Sequence, residues 1–337
     1  MTIRKPSRRT FVKGSAAAGA AVISGFPLIA KGAPEHTIKI ATLAPDGSSW
    51  HKAFKRVARE IKEKSDGRIV TKIYAGGVMG DEPAMVRKMR TGQLDGAAVT
   101  NVGLGEINKQ LLMLQLPLLF RNYKELDRVR DAMSDKFENL LSASGFRLSG
   151  WGDVGFAYLF SNSPIKRPSD AKSTNMWVWD SDPVSQEVMK VAGVNAIPLA
   201  VPDVLSSLQT GVIDAYQNSP YGAIALQWYT KAAFITNLKL AVTIGGTVMN
   251  LTSWEKFSDA DKELLQGVAD STYGKLLKRI RSDNKKAITA LTDKGMKVVE
   301  PEAFPEWKKL ADTVRTNLTG SLFDEALVTE MLGHLGR

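Results

Sequence analysis

Between residues 38 and 100 the chain alternates strand and helix patterns with short connections, and this alternation narrows its fold more than any other feature. Ile38-Lys39-Ile40-Ala41-Thr42-Leu43 reads as a strand and runs through Pro45-Asp46-Gly47-Ser48-Ser49 into a helix. Trp50, Phe54, Val57, Ala58 and Ile61 fall at helical spacing there. Asp46 or Ser48 can cap that helix, and Asp66-Gly67 ends it. Ile69-Val70-Thr71-Lys72-Ile73-Tyr74 is a second strand. The loop Gly76-Gly77-Val78-Met79-Gly80 precedes a helix that puts Met85, Val86 and Met89 on one face and stops at Gly92. Leu94-Asp95-Gly96-Ala97-Ala98-Val99-Thr100 is the third strand. Strand–helix–strand–helix–strand with connections this short implies a parallel sheet covered on both faces.

The pattern returns at 176–179, 195–198 and 212–216, with helices near 183–191 and 202–209. The segment 238–251 reads as strand, turn and strand, followed by a long helix over 259–293 and a strand at 296–299. The fold class expected is therefore α/β, with two α/β lobes around a cleft, hinge strands and a long bracing helix. Lobe I is expected over 34–154 with a returning segment at about 243–285. Lobe II is expected over 155–242, with C-terminal helices at about 286–337 packing across the lobes.

The formal charge of +10 comes from 45 Lys+Arg against 35 Asp+Glu. Six of the basic residues and none of the acidic ones lie in 1–33, which leaves 39 against 35 for the remainder. Those 33 residues read as an address. Ser7-Arg8-Arg9-Thr10-Phe11-Val12-Lys13 resembles the twin-arginine export motif, and a charge-free Ala/Gly-rich stretch from Gly14 to Ala30 leads to a small-residue cleavage zone near residue 33. That stretch is short for a bilayer span of about 20 apolar residues. The expectation is a twin-arginine signal peptide over 1–33 and a periplasmic mature protein.

Several chemistries lack their residues. With Cys 0 and His 3, no thiolate site and no histidine metal spacing exists, so no metal and no cofactor is expected. There is no G-x-S-x-G elbow, P-loop or dinucleotide fingerprint, and no enzyme is expected. Basic residues after 33 are interspersed with acidic ones, which argues against nucleic acid. Trp and Tyr, by contrast, cluster: eight of fourteen lie between 151 and 229. Rings at the ends of open-sheet strands either build core or line a pocket.

The segment 38–100, together with Leu116-Pro117-Leu118-Leu119-Phe120-Arg121-Asn122-Tyr123 and the run Leu208-Gln209-Thr210-Gly211-Val212-Ile213-Asp214 followed by Asn218, resembles the DctP-type solute-binding proteins of tripartite ATP-independent periplasmic (TRAP) transporters. The resemblance spans about 37–330. It implies a receptor whose two lobes close over one small-molecule solute and then dock on the small and large membrane subunits. It also implies a monomer or homodimer and, in relatives lacking a clamping arginine, a tetratricopeptide-repeat periplasmic partner. Most relatives hold a substrate carboxylate with an arginine on the strand matching 172–178, where this chain has Trp177, and with a second arginine where it has Ala157. Without those cations the expected solute is neutral, lipophilic or aromatic-faced.

Trp177 and Trp179 are expected as a stacking floor, Phe156 and Tyr158 as a wall, and Tyr216 and Asn218 as polar contacts. Trp50, Met79 and Glu82 would close the lid, with Asn101 after the third strand and Val201 completing the set. Asp180, with Asp182 or Glu82, could build a partial cage for a cation instead. Two rivals stand beside this reading. One is an organic acid held by a differently placed base such as Arg87, Arg90 or Lys166. The other is a periplasmic enzyme.

Overall fold

The computed structural model describes residues 33–337, and the expected signal peptide lies almost wholly outside them. The first part of the chain runs β1 (His36–Thr42), α1 (Ser49–Lys64), β2 (Ile69–Tyr74), α2 (Glu82–Arg90), β3 (Gly96–Thr100) and α3 (Asn101–Ile107). A 3-10 turn at Lys109–Gln115 leads to α4 (Tyr123–Ala132), α5 (Ser134–Ala143) and β4 (Phe146–Trp151). Then come β5 (Gly155–Ser161), β6 (Met176–Trp179), α6 (Pro183–Ala192), β7 (Ala196–Leu199), α7 (Val201–Thr210), β8 (Ala215–Asn218) and α8 (Pro220–Ala225). The last part is β9 (Phe234–Thr243), β10 (Gly245–Asn250), α9 (Leu251–Trp254), α10 (Asp259–Asp293), β11 (Lys297–Val299), α11 (Phe304–Leu318) and α12 (Glu325–His334).

Two sheets result, ordered β2-β1-β3-β10-β4 and β11-β9-β5-β8-β6-β7. In the first, β1 pairs parallel with β2 and β3, as the short strand–helix connections require. β10 then pairs antiparallel with both β3 and β4, so the sheet is mixed rather than parallel throughout. The physical reason is that β10 enters directly from β9 of the other sheet. The three-residue step at 152–154 between β4 and β5 is also such a crossing. β5 lacks the alternation that marks a half-exposed strand, and every one of its residues is buried.

Local chemistry explains the helix starts. Ser48 accepts from the His51 N–H and opens α1, and Ser258 accepts from the Asp261 N–H and opens α10. Asp182 accepts from the Val184 N–H at the head of α6, and Gly211, with φ of 76°, closes α7 in the left-handed region. α1 buries Trp50, Phe54 and Ile61 against the first sheet and α10. α10 packs on α1, α8, β4 and β5, and so touches elements of both sheets. The terminal helices divide their contacts, α11 on α6 and α12 on α4.

The chain passes between the sheets at 152–154 and again at Ile244, and these crossings lie side by side. The Gly152 N–H donates to Gly245 O at 2.6 Å, and the Val154 N–H to Thr243 O at 2.9 Å. A Cβ on Gly245 would sit 2.6 Å from Gly152 O and 2.8 Å from Val99 O, so only glycine lets the segments approach this closely. Asp153, fully buried at this crossing, is held by Arg130 Nη2 at 2.6 Å and Arg281 Nε at 3.0 Å. Arg281 also makes a bidentate contact to Asp127, at 2.6 and 2.7 Å.

Candidate functional site

A cavity of about 180 Å³ opens between the two sheets, beside the crossings. β1 and α1 contribute Thr42, Trp50 and Phe54; α2 and the β3–α3 junction contribute Glu82, Thr100 and Asn101. From the other side come Trp177, Trp179, Asp182, Ser185, Val201, Gln217, Asn218 and Trp228. No lysine, arginine or histidine is among the described residues that line it.

Trp177 and Trp179 point to one side of β6 because strand side chains repeat every second residue. Their rings lie 6.1 Å apart, and Trp228 meets Trp177 edge-on at 5.1 Å. The indole N–H groups are already used: Trp177 Nε1 donates to Leu199 O at 3.0 Å, Trp179 Nε1 to Asp81 Oδ2 at 2.7 Å and Trp50 Nε1 to Asp153 O at 3.0 Å. What these three rings offer a solute is therefore carbon surface, at about 25 cal/mol per Å² covered. The Trp179–Asp81 bond also joins the second sheet to the head of α2.

The acidic groups are inward and engaged. Glu82 Oε1 accepts from the Thr100 N–H at 2.8 Å; its Oε2 accepts from the Gly103 N–H at 2.7 Å and the Thr100 hydroxyl at 2.9 Å. It thus anchors the start of α3 as well as beginning its own helix. A Cβ on Gly103 would come within 2.9 Å of Glu82 Oε2, so the glycine makes room for this anchor. Burial pushes the Glu82 carboxyl up to about 8 against the pull of those donors, with the neighbouring Asp81 charge adding to the rise. Burial likewise raises Asp182 and Asp81 above the usual carboxylate range. Asp182 accepts from Gln115 Nε2 at 2.6 Å and from the Ser185 hydroxyl. Asn101 Oδ1 accepts from the Ile244 N–H at 2.8 Å, while its Nδ2 is buried without a partner.

Of the residues expected from sequence, Trp50, Glu82, Asn101, Trp177, Trp179, Val201 and Asn218 line this cavity. Five do not. Phe156 and Tyr158 turn away because Ala157, between them, faces the cavity, and Phe156 packs on Tyr123 at 4.9 Å instead. Tyr216 is fully buried and stacks on Phe160, its register partner, at 4.9 Å and 4°. Asp180 is exposed beyond the end of β6 and bonds Ser181, which removes it from any cation cage. Met79 packs against core carbon, and its backbone O accepts from Lys88 Nζ. The alternative bases are elsewhere too: Arg90 lies over Phe146 at 5.5 Å, Lys166 pairs with Glu302 at 2.9 Å, and Arg87 is not among the lining residues.

Asp182, expected only as part of a cation cage, lines the cavity, and so do Gln115, Ser185, Gln217 and Trp228, which were not expected as contacts. Asp182-Pro183 carried a readable helix-start signal. Gln217 follows from strand alternation once Tyr216 is given to the core. Gln115 carried no signal. Among the described residues, no group of three or more His, Cys, Asp or Glu could hold a metal, and no helix is long and apolar enough to cross a membrane.

The model of the bacterial extracellular solute-binding proteins of family 7, DctP, matches residues 40–319, and a twin-arginine translocation signal matches 5–24. The leader is thus a twin-arginine export signal, and the protein is periplasmic. A solute-binding protein from Chromohalobacter salexigens is 27% identical over 221 residues, covering 65% of this chain and 66% of that one. A TRAP periplasmic solute-binding protein from the same species, solved with bound D-glucuronate, superposes with a TM-score of 0.82 at 23% identity, covering 88% of this chain and 99% of that one. Another from Ralstonia eutropha, with bound (S)-2-acetolactate, gives 0.84 at 22% identity, covering 89% and 98%. The α/β architecture is the one those structures share.

Proposed function

From the premise that the chain belongs to the bacterial extracellular solute-binding proteins of family 7, we propose that it is the periplasmic receptor of a TRAP-type transporter, carrying an uncharged, apolar-faced solute to the membrane subunits. The two sheets mark two lobes, divided at 152–154 and 244, which close over the solute as a hinge. A solute touching Trp177 from one lobe and Trp50 from the other stabilises the shut form by contacts the open form lacks.

One observation carries the choice of solute. The cavity lining holds no cation among the described residues. Desolvating an ionised carboxylate there without a partner costs several kcal/mol. A bidentate arginine would return roughly 1.5–3 kcal/mol, and Trp177 and Ala157 occupy the positions where the resemblance places one. The chain would then belong to a branch of the family without the clamping arginine.

A second reading has an observation of its own. The similar solved structures carry organic acids, D-glucuronate and (S)-2-acetolactate among them, and this favours a carboxylate solute. Here such a solute would depend on neutral donors such as Asn101 Nδ2. Calorimetric titration of the ligand-free protein with D-glucuronate and galactonate separates the readings. The uncharged reading expects no saturable heat. Micromolar binding that weakens with added salt would establish the carboxylate reading instead.

A further inference from the structure

The cavity's polar atoms form a directed pattern, set at the asparagines by backbone N–H groups and at the glutamines by the Asp182 carboxyl and the Ser185 hydroxyl. Asp182 accepts from the Val184 N–H at 3.1 Å, from Gln115 Nε2 at 2.6 Å and from the Ser185 hydroxyl. Having given its proton to Asp182, the Ser185 oxygen accepts from Gln217 Nε2 at 2.8 Å. Both glutamine amides are thereby turned with nitrogen toward the protein, and neither carbonyl oxygen has a hydrogen bond among the described residues. The asparagines are turned the other way. Asn101 Oδ1 accepts from the Ile244 N–H at 2.8 Å and Asn218 Oδ1 from the Ser219 N–H at 2.7 Å, both backbone donors. Their amide nitrogens remain, and that of Asn101 is buried without a partner.

We propose that the solute bears, on an apolar body, a hydroxyl or N–H donor that meets the Gln115 and Gln217 oxygens and an oxygen acceptor that meets the Asn101 and Asn218 nitrogens. This rests on the uncharged reading above and gives it a chemical class: neutral alcohols, phenols or amides rather than bare hydrocarbons. Asp182 and Ser185 are positioning residues that fix which face of each glutamine the solute meets. An acceptor placed at Asn101 relieves the unpartnered N–H, so it contributes more than an ordinary surface contact.

The test uses matched probes on the ligand-free protein: naphthalene, 2-methoxynaphthalene, 2-naphthol and the anion 2-naphthoate, followed by calorimetry. Expected affinities rise from naphthalene to the methoxy compound to the naphthol, each step roughly 3- to 10-fold, in keeping with one added hydrogen bond. Ser185→Ala frees the Gln217 amide to rotate and should lower the naphthol-over-methoxy preference, whereas loss of packing alone would shift the affinities of all three neutral probes together and leave that preference unchanged. Equal affinities for the three neutral probes overturn this inference and leave the uncharged cleft standing. Preference for 2-naphthoate overturns the reading on which it rests, and a cavity that takes none of the four overturns both.

Discussion

Three tryptophans at the cavity spend their N–H groups on the protein: Trp50 on Asp153 O, Trp177 on Leu199 O and Trp179 on Asp81. An indole with its donor engaged binds through its face and edge carbons, so it selects shape and apolar area over charge. Ala157 lies in the same lining and is only 3% exposed. Ala157→Arg should therefore place a guanidinium in the cleft and raise D-glucuronate affinity about 10- to 100-fold, with the gain shrinking in salt. Titration of wild type and variant side by side checks this, and an unchanged affinity would mean the position does not reach the solute.

Glu82 supplies a pH signature. Its carboxyl is pushed from 4.5 to about 8, so between those values the folded form keeps a proton that the unfolded form has lost. Stability from this group is full below about 4.5 and is lost as pH rises toward 8. The thermal midpoint should fall across that window, and Glu82→Gln should flatten the slope. An identical slope in the variant would place the titration elsewhere, with Asp81 the neighbouring group to examine.

Among the elements, the crossing at 152–154 carries a buried ion cluster. Asp153 is fully buried between Arg130, 4% exposed, and Arg281. Asp153→Ala would leave those guanidinium groups without their central partner and should cost about 3–5 kcal/mol, read from urea unfolding. A cost under about 1 kcal/mol would show that water or Asp127 compensates. This cluster was not legible in the sequence, because its members stand at 130, 153 and 281 and share no local pattern. Elements with strong local signals were legible: the helix at Asp259–Asp293 and the strand at Met176–Trp179 match their sequence patterns. Parity was the harder problem. Phe156 and Tyr158 were singled out as a wall of the pocket, but the strand that holds them was not read from the sequence, and the side facing solute was set by the pairing of β5 with its neighbours, which tertiary contacts decide. Tyr216 was misassigned for the same reason, since its partner Phe160 is 56 residues away.

For the whole molecule, the formal charge of +10 carries little functional meaning, because the 1–33 leader holds six of the basic residues. What distinguishes the protein is local: a cleft between two sheets that are bridged by the Trp179–Asp81 hydrogen bond, with no cation among its described lining residues. Trp179→Phe removes that hydrogen bond while keeping an aromatic ring. It should weaken solute retention about 3- to 10-fold through faster release, measurable by stopped-flow fluorescence. An unchanged release rate would mean the Asp81 contact plays no part in closure.

The most direct measurement is native mass spectrometry, followed by organic extraction, of the protein recovered from its own periplasm. A co-purifying uncharged molecule with an apolar body is the predicted result. Recovery of sugar acids or dicarboxylates alone would contradict the account of an uncharged cleft.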